Sequence, residues 1–320
     1  MISFIVIGLN EEKYLLNCFR SIFETIKVNN ILKYEILYVD SNSSDKSIEI
    51  AKGFKEIKIF KLSHVCNAAI ARNLGADLSN GETLFFIDGD LEINPSFLQK
   101  ALDSNCFFKY DVAIGKSIHY YYDYSGNLLN KKEEEPHHGN FANLNIKGWF
   151  IIKRSIWYRI GGMKTKLRSS QDRDFFLELM KKKIKIEFIN DIIAIHHTIS
   201  YLNNKRMWTR LFNGTELYGR SVFYRCHIFN KNIWSILFRY EYTMLSLIIL
   251  LIAGILSQLY LLFLIYPLMV LTRIFFQQNK TLIDVFNRIP YYLLRDVLTI
   301  LGGLFFYPQE KKNIQYEIIQ

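Results

Sequence analysis

The chain has 320 residues, 50% of them hydrophobic and 15% aromatic, with a formal net charge of +10 and a sequence pI near 9.2. That length supplies ample core for one large or two ordinary domains, so size limits nothing. The charge suits anionic lipid head groups, phosphorylated substrates or nucleic acid and does not choose among them. Mean hydropathy is slightly positive at +0.06, with the apolar excess gathered toward the C-terminus. Cys18, Cys66, Cys106 and Cys226 show neither metal-ligand spacing nor a paired framework, so reduced thiols are expected.

The run Ile2–Ile7 lacks a basic leader and breaks at Gly8, which predicts a first strand rather than a signal peptide. Beyond Gly8-Leu9-Asn10-Glu11-Glu12, apolar residues from Tyr14 to Phe23 recur at helical spacing. The pattern repeats: strand 35–39, a polar loop 40–45, a short helix 46–52, strand 57–60, a helix near 66–78, and strand 83–87. Strands alternating with helices across short loops imply right-handed parallel crossovers and a Rossmann-like sheet. Pro95 can open a helix over 96–103, and 111–122 is extended. Residues 125–140 suit a mobile loop. Within it His137 and His138 follow three glutamates, where a solvated charge run is favoured over a metal site. A helix over 154–160 stops at Gly161-Gly162, an amphipathic helix follows Ser170 through Met180, and strand 184–189 precedes His196-His197.

From Tyr242 to Phe276 the chain is almost wholly apolar until Arg273, which predicts a membrane hairpin turning near Ser257-Gln258, or one span with a re-entrant piece. A further segment over 289–307 carries Arg295 and Asp296 in an apolar setting and is expected at the interface or as another span. The cations of 181–185 and 205–225 precede this region, as a cytoplasmic membrane-facing surface would have, and Trp234, Tyr240, Tyr242, Tyr291 and Tyr292 suit interfacial belts. The expected division is a catalytic domain over 1–230 and a membrane region over 231–320.

The strongest chemical signal is Leu84-Phe85-Phe86-Ile87-Asp88-Gly89-Asp90, an apolar strand that ends in two carboxylates. Open parallel sheets bind ligands at such strand ends, and Gly89 permits close backbone approach. A divalent cation bridging to a diphosphate is the natural guest, with a solvated acidic turn as the alternative.

Taken in order, the motifs resemble the inverting glycosyltransferases of family 2, with the GT-A nucleotide-sugar fold. Ser3 to Glu12 resembles that family's opening strand and Asn-Glu loop, and Tyr38 to Asp45 its second strand and Asp-rich serine loop. Ala69-Ile70-Ala71-Arg72-Asn73-Leu74-Gly75 resembles its Ala-Arg-Asn-x-Gly helix, and Asp88-Gly89-Asp90 its DXD motif. Gly161-Gly162 followed by Gln171-Asp172-Arg173-Asp174 resembles the Gly-Gly turn and the acidic motif before the last catalytic helix. The likeness covers roughly residues 1–200.

The resemblance implies a nucleotide-sugar donor, with a UDP-sugar favoured, and a divalent Mn²⁺ or Mg²⁺. It implies Asp90 as metal ligand, Asp88 at the metal or ribose, Asp40 toward the base, Arg72 toward base or diphosphate, and Gly8, Asn10 and Glu11 lining the same pocket. Asp40 and Asp45 also suit helix caps, and Arg72 an ion pair with Asp77. Asp172 would remove the acceptor proton, with Asp174 supporting it and Gln171 standing where the family usually has Glu. Asp172 equally suits a helix N-terminus. His196 or His197 would join the metal, and a neutral imidazole favours Mn²⁺ over Mg²⁺. Asn203-Asn204-Lys205-Arg206-Met207-Trp208 lacks the Gln-x-x-Arg-Trp of processive synthases. The expected function is transfer of a single sugar to a lipid-linked or cell-envelope glycan at the cytoplasmic membrane, with the catalytic domain facing the cytoplasm and no nucleic-acid partner. A catalytically degenerate nucleotide-sugar-binding scaffold is the alternative. Oligomeric state is not readable from the sequence.

Overall fold

The computed structural model describes residues 1–64, 67–136, 147–277, 281–311 and 313–320, with the backbone alone at 216–219. Two compact units divide the described residues: 1–136, 147–199 and 309–320 belong to the first, and 200–308 to the second. The His137-His138 pair lies outside the described residues.

The first unit is built on a ten-stranded sheet. Its strands are β1 (Ile2–Gly8), β2 (Tyr34–Asp40), β3 (Ile57–Leu62), β4 (Thr83–Asp88), β5 (Leu91–Ile93), β6 (Val112–Tyr122), β7 (Leu128–Glu134), β8 (Phe150–Lys153), β9 (Ile186–Ile199) and β10 (Tyr316–Ile318). The order is β10-β3-β2-β1-β4-β8-β6-β9-β5, with β7 pairing β6. β3, β2, β1 and β4 run parallel, the expected Rossmann-like half. Helices α1 (Leu15–Val28), α2 (Ser47–Lys52), α3 (Ala68–Leu78), α4 (Pro95–Ala101), α5 (Arg154–Ile160) and α6 (Gln171–Lys181) flank it. All seven residues of β1 are buried, as a central strand covered on both faces requires. α3 packs so closely that a Cβ on Gly75 would stand 2.3 Å from Ile5 Cγ2.

Three elements depart from expectation. Residues 125–140 do not form a loop throughout, because β7 pairs antiparallel with β6 and buries Glu134 while Glu133 and Glu135 stay exposed. The strand expected over 184–189 is part of the longer β9, and His196-His197 lies inside it rather than after it. Asn190-Asp191 has turn composition, yet it is absorbed as a bulge opposite Gly115-Lys116. Gly115 makes room, since a Cβ there would lie 2.7 Å from the Asp191 carbonyl. Residues 309–320, expected in the membrane region, return to the sheet edge as β10 against β3.

The second unit holds α7 (Asn204–Phe212), α8 (Thr215–Cys226), α9 (Lys231–Tyr240), α10 (Tyr242–Ser257), a 3-10 turn (Tyr260–Leu264), α11 (Ile265–Phe275) and α12 (Leu282–Phe305). Residues 200–230 therefore belong here and not with the sheet. The expected reversal occurs at Gln258, which takes φ 59°. The arms are short: the 16 residues of α10 rise only about 24 Å, against a hydrocarbon core of about 30 Å. Among the described residues no single helix is long and apolar enough to cross a membrane, and the pair α9 and α10 is bent by 94°. The α12 segment turns its polar side inward. Arg288, Arg295, Asp296 and Thr299 are buried, whereas Leu282, Ile283, Phe286, Leu304 and Phe305 are exposed. Arg295 pairs with Glu241 at 2.7 Å and with Asp296 at 2.8 Å, and Arg220 also pairs with Glu241.

Candidate active site

The parallel half of the sheet brings the acidic strand ends together. β1 and β4 are neighbours in register, with Ile7 opposite Asp88, and Gly89 N–H donates to the Ile7 carbonyl at 2.8 Å. Glu11, in the loop after β1, lies among these carboxylates. Burial first, then the charges of Asp90, Asp88 and Asp45, push its pKa up to about 9. Glu11 is therefore protonated and neutral at physiological pH, beside the carboxyl groups of Asp88 and Asp90.

Each expected donor residue has a defined place. Gly8 ends β1 beneath Tyr38 and Glu11, where a Cβ would meet the Tyr38 hydroxyl at 3.0 Å. Asn10 adopts φ 59° and is tied to the serine loop, its side-chain Oδ1 accepting from Ser44 N–H at 2.9 Å and its backbone N–H donating to Ser43 Oγ at 2.8 Å. Asp40 is fully buried, accepting from the Tyr38 hydroxyl at 2.9 Å and from Ser43 N–H at 2.7 Å. Its carboxylate thus shapes the loop that Asn10 grips. Asp45 stands just before α2, accepting from Ser47 N–H at 3.0 Å.

Arg72 is buried and pairs with Asp88, not Asp77, at 2.5 Å. Asp77 instead accepts from the Tyr158 hydroxyl. Burial raises the Asp88 pKa above the ordinary value although Arg72 opposes it. The Arg72 Nε is buried without a hydrogen-bond partner, leaving a donor for a further acceptor. Backbone at Gly148 covers the guanidinium so closely that a Cβ would fall 2.0 Å from Nη2.

The Gly-Gly turn and the Ala-Arg-Asn helix are one assembly. Gly161 and Gly162 take φ 94° and 70° after α5, and Asn73 clamps the chain beyond them, donating to the Met163 carbonyl at 2.8 Å and accepting from Met163 N–H at 2.9 Å. This turn leads to α6. Asp172 sits in its first turn, half-buried, with Oδ1 2.8 Å from Arg173 N. Asp174 is buried and paired with Lys164 at 2.8 Å. Gln171 Oε1 is buried with no hydrogen-bond partner.

The two histidines separate by strand alternation. His196 is buried with Nε2 2.9 Å from Asp90 Oδ2, while His197 turns to the other face. There it stacks with Tyr14 and Tyr120 at 5.3 Å each and pairs with Glu92 at 3.2 Å. Three contributors went unrecognised in the sequence. His119 lies 3.0 Å from His196, Glu134 lies behind His119, and Trp149 packs on both imidazoles. Burial, with Lys147 nearby, lowers the His119 pKa to about 3, so it is neutral at physiological pH. Only the alternation of β6 hinted at His119, since it shares the parity of Ser117 and Tyr121.

Among the described residues no group of three or more His, Cys, Asp or Glu converges on a common point as a ready-made metal cage. Asp90 and His196 nevertheless form a two-donor pair, Oδ2 and Nε2 2.9 Å apart, next to Glu11. Mg²⁺ and Mn²⁺ commonly take a few protein ligands and fill the rest with phosphate oxygens and water, so the residues present fit such an ion.

A family model described as glycosyl transferase family 2 matches residues 3–175, more than half of the chain. An uncharacterized glycosyltransferase of Haemophilus influenzae is 26% identical over 189 residues, covering 57% of this chain and 63% of the relative. Glycosyltransferase AglE of Haloferax volcanii is 22% identical over 210 residues, covering 61% and 66%. The poly(ribitol-phosphate) beta-N-acetylglucosaminyltransferase TarP of Staphylococcus aureus is 26% identical over 181 residues, covering 55% and 50%. The chain thus spans less than two thirds of the length of these curated relatives. The crystal structure of S. aureus TarS 1–349 in complex with UDP-GlcNAc aligns over 98% of both chains at 13% identity and a TM-score of 0.48. With its mostly parallel sheet, strand-end carboxylates and matching motifs, this chain belongs to glycosyl transferase family 2, a family of transferase enzymes.

Proposed function

We propose that this protein transfers a single sugar, with inversion, from a nucleotide-sugar donor to a lipid-linked or cell-envelope glycan acceptor, with a UDP-sugar as the favoured donor. The observation that carries this is the cluster of acidic side chains, Glu11, Asp88 and Asp90, at the ends of β1 and β4 in a family-2 chain. In this reading the β1 and β2 loops, shaped by Asn10 and Asp40, receive the nucleoside. Arg72 holds Asp88 and keeps its Nε–H buried and unpartnered beside it. Asp90 and His196 would hold a divalent cation, which stabilises the charge that develops on the leaving diphosphate. Asp172, on the first turn of α6, accepts the proton of the attacking hydroxyl. Asp174, neutralised by Lys164, anchors that turn.

Membrane association belongs to the same proposal, at the cytoplasmic face. The second unit exposes Leu256, Leu261, Leu264, Phe275 and Phe276 while burying its ion pairs, an inversion that suits an apolar surrounding. Tethering near a lipid-linked acceptor raises its effective concentration. Gln171, in place of the usual Glu, motivates a second reading as a donor-binding scaffold without turnover.

The test is a thermal-shift screen of nucleoside diphosphates and nucleotide sugars with and without Mn²⁺, followed by donor turnover. A metal-dependent rise in Tm with UDP-sugars is expected, because a ligand of the native state stabilises by mass action. Asp172→Asn should keep donor binding and fold while lowering kcat by about 100-fold or more, the range of general-base removal. Donor binding without turnover by the unaltered protein for any acceptor would favour the scaffold. No donor binding at all would refute both.

A further inference from the structure

Behind the Asp90–His196 pair runs a buried chain of polar groups that the donor and proton-transfer roles leave unexplained. His119 on β6 stands opposite His196 on β9 in the parallel register, and Ser117 on β6 stands opposite Glu134 on β7. The sheet therefore stacks polar side chains of three strands, β7, β6 and β9, in one row. His119 Nδ1 lies 3.0 Å from His196 Nδ1, and His119 Nε2 lies 2.8 Å from Ser117 Oγ and 3.4 Å from Glu134 Oε2. Lys132 at 2.8 Å and Lys147 at 3.0 Å hold Glu134 as a carboxylate acceptor. His119, His196 and Glu134 are 1%, 5% and 8% exposed, so water does not substitute freely for these contacts.

With the His119 proton on Nε2, the hydrogen bonds of this row run in one direction. A neutral imidazole has one N–H donor and one acceptor nitrogen. The Glu134 charge favours the proton of His119 on Nε2, where Ser117 also accepts it. Nδ1 of His119 is then an acceptor, and the contact between the two Nδ1 atoms requires His196 to donate from its own Nδ1–H. Nε2 of His196 is left with its lone pair facing Asp90 Oδ2 at 2.9 Å. In this tautomer two acceptors face each other across that gap, an arrangement that a cation held by both satisfies.

We propose that His119, oriented by Ser117 and Glu134, is a positioning residue that fixes the tautomer of His196 and so presents its Nε2, with Asp90, to a divalent cation. This rests on the metal-assisted reading above and adds to it the choice of His196 over His197 and the device that fixes it. Partners behind a metal-bound histidine set ring orientation and ligand basicity, and their loss typically weakens metal affinity about 10- to 100-fold.

The test measures Mn²⁺ affinity of the full chain in the presence of UDP, from the electron paramagnetic resonance signal of free Mn²⁺, with no turnover required. His119→Ala should weaken binding about 10- to 100-fold with the circular dichroism spectrum retained. His119→Asn should recover part of it, because its side-chain carbonyl can accept from His196 Nδ1–H. Glu134→Gln, whose amide can donate toward His119, should weaken binding as well and keeps the test decisive if His119→Ala does not fold. In ¹⁵N-histidine spectra with diamagnetic Mg²⁺, His196 should be protonated at Nδ1 in the unaltered protein and mixed in Glu134→Gln. Unaltered Mn²⁺ affinity in folded His119→Ala and Glu134→Gln overturns this inference alone. Failure of the unaltered protein to bind Mn²⁺ with UDP overturns the metal reading and this inference with it.

Discussion

Replacing Glu35 by Gln tests how the sheet holds β4, and with it Asp88, in place. Glu35 lies on β2 and is 8% exposed. Its carboxylate accepts from the Ser3 hydroxyl at 2.7 Å, Gly81 N–H at 3.2 Å, Lys58 Nζ at 2.8 Å and Asn80 N–H, pinning the loop that leads into β4. Burial alone would raise its pKa, but the Asn80 backbone donor, Lys58 and Ser3 outweigh it and lower the value from 4.5 to about 2. At about 1.4 kcal/mol per tenfold change in proton affinity, that depression contributes about 3 kcal/mol of stability at neutral pH. The sign follows from a folded pKa below the unfolded one. The contribution is complete above about 4.5 and disappears as pH falls through about 2. Gln keeps one acceptor but places an NH₂ donor among donors, so Glu35→Gln should lose most of this. Urea unfolding of both proteins from neutral pH down to about 2, with ¹³C titration of the Glu35 carboxyl, is the measurement. The stability gap should be about 3 kcal/mol at neutral pH and close to under about 1 kcal/mol at the acid end. A gap that is small at neutral pH, or that does not narrow with acid, would refute the reasoning.

Gly75→Ala should destabilise the protein by about 1–2 kcal/mol, since overpacking against Ile5 exceeds the gain in helix propensity. Adding Ile5→Ala should cost less than the two changes separately, read from a double-mutant cycle in urea. In the second unit Glu241 is 1% exposed and faces Arg220 and Arg295, so Glu241→Ala leaves two guanidinium groups short of a counter-charge. It should cost about 3–5 kcal/mol by thermal unfolding, whereas a loss under about 1 kcal/mol would show that the network is solvated. For the membrane proposal, joint replacement of the exposed Leu256, Leu261 and Leu264 by Ser should reduce co-sedimentation with anionic lipid vesicles while leaving the fold intact. Equal sedimentation of both proteins would count against that surface.

Much of the first unit was legible because its signals are local. The buried strands of the parallel half read as continuous apolar runs, the polar loops follow each strand, and the acidic residues stand at strand ends where chain order alone places them. Helix α5 ends at Gly161-Gly162 because only a residue tolerant of positive φ continues the chain there. What the amino-acid order could not reveal depends on partners distant along the chain. The Asn190-Asp191 turn signal lost to the pairing of β9 with β6, which absorbed it as a bulge. The acidic run 133–135 looked uniformly solvated, yet pairing with β6 buries Glu134 alone, because alternate residues of a strand face opposite sides. The same alternation separates His196 from His197 and carries His119 to its partner across strands 77 residues apart. In the second unit an apolar composition predicted helices correctly, but not that α12 turns its charges inward to ion pairs at Glu241 and Asp296. Thus the order of residues alone determined the elements of the parallel half, the family motifs and the acidic strand ends. Tertiary structure decided which polar groups are buried together, since burial and register are properties of pairing and not of any single segment.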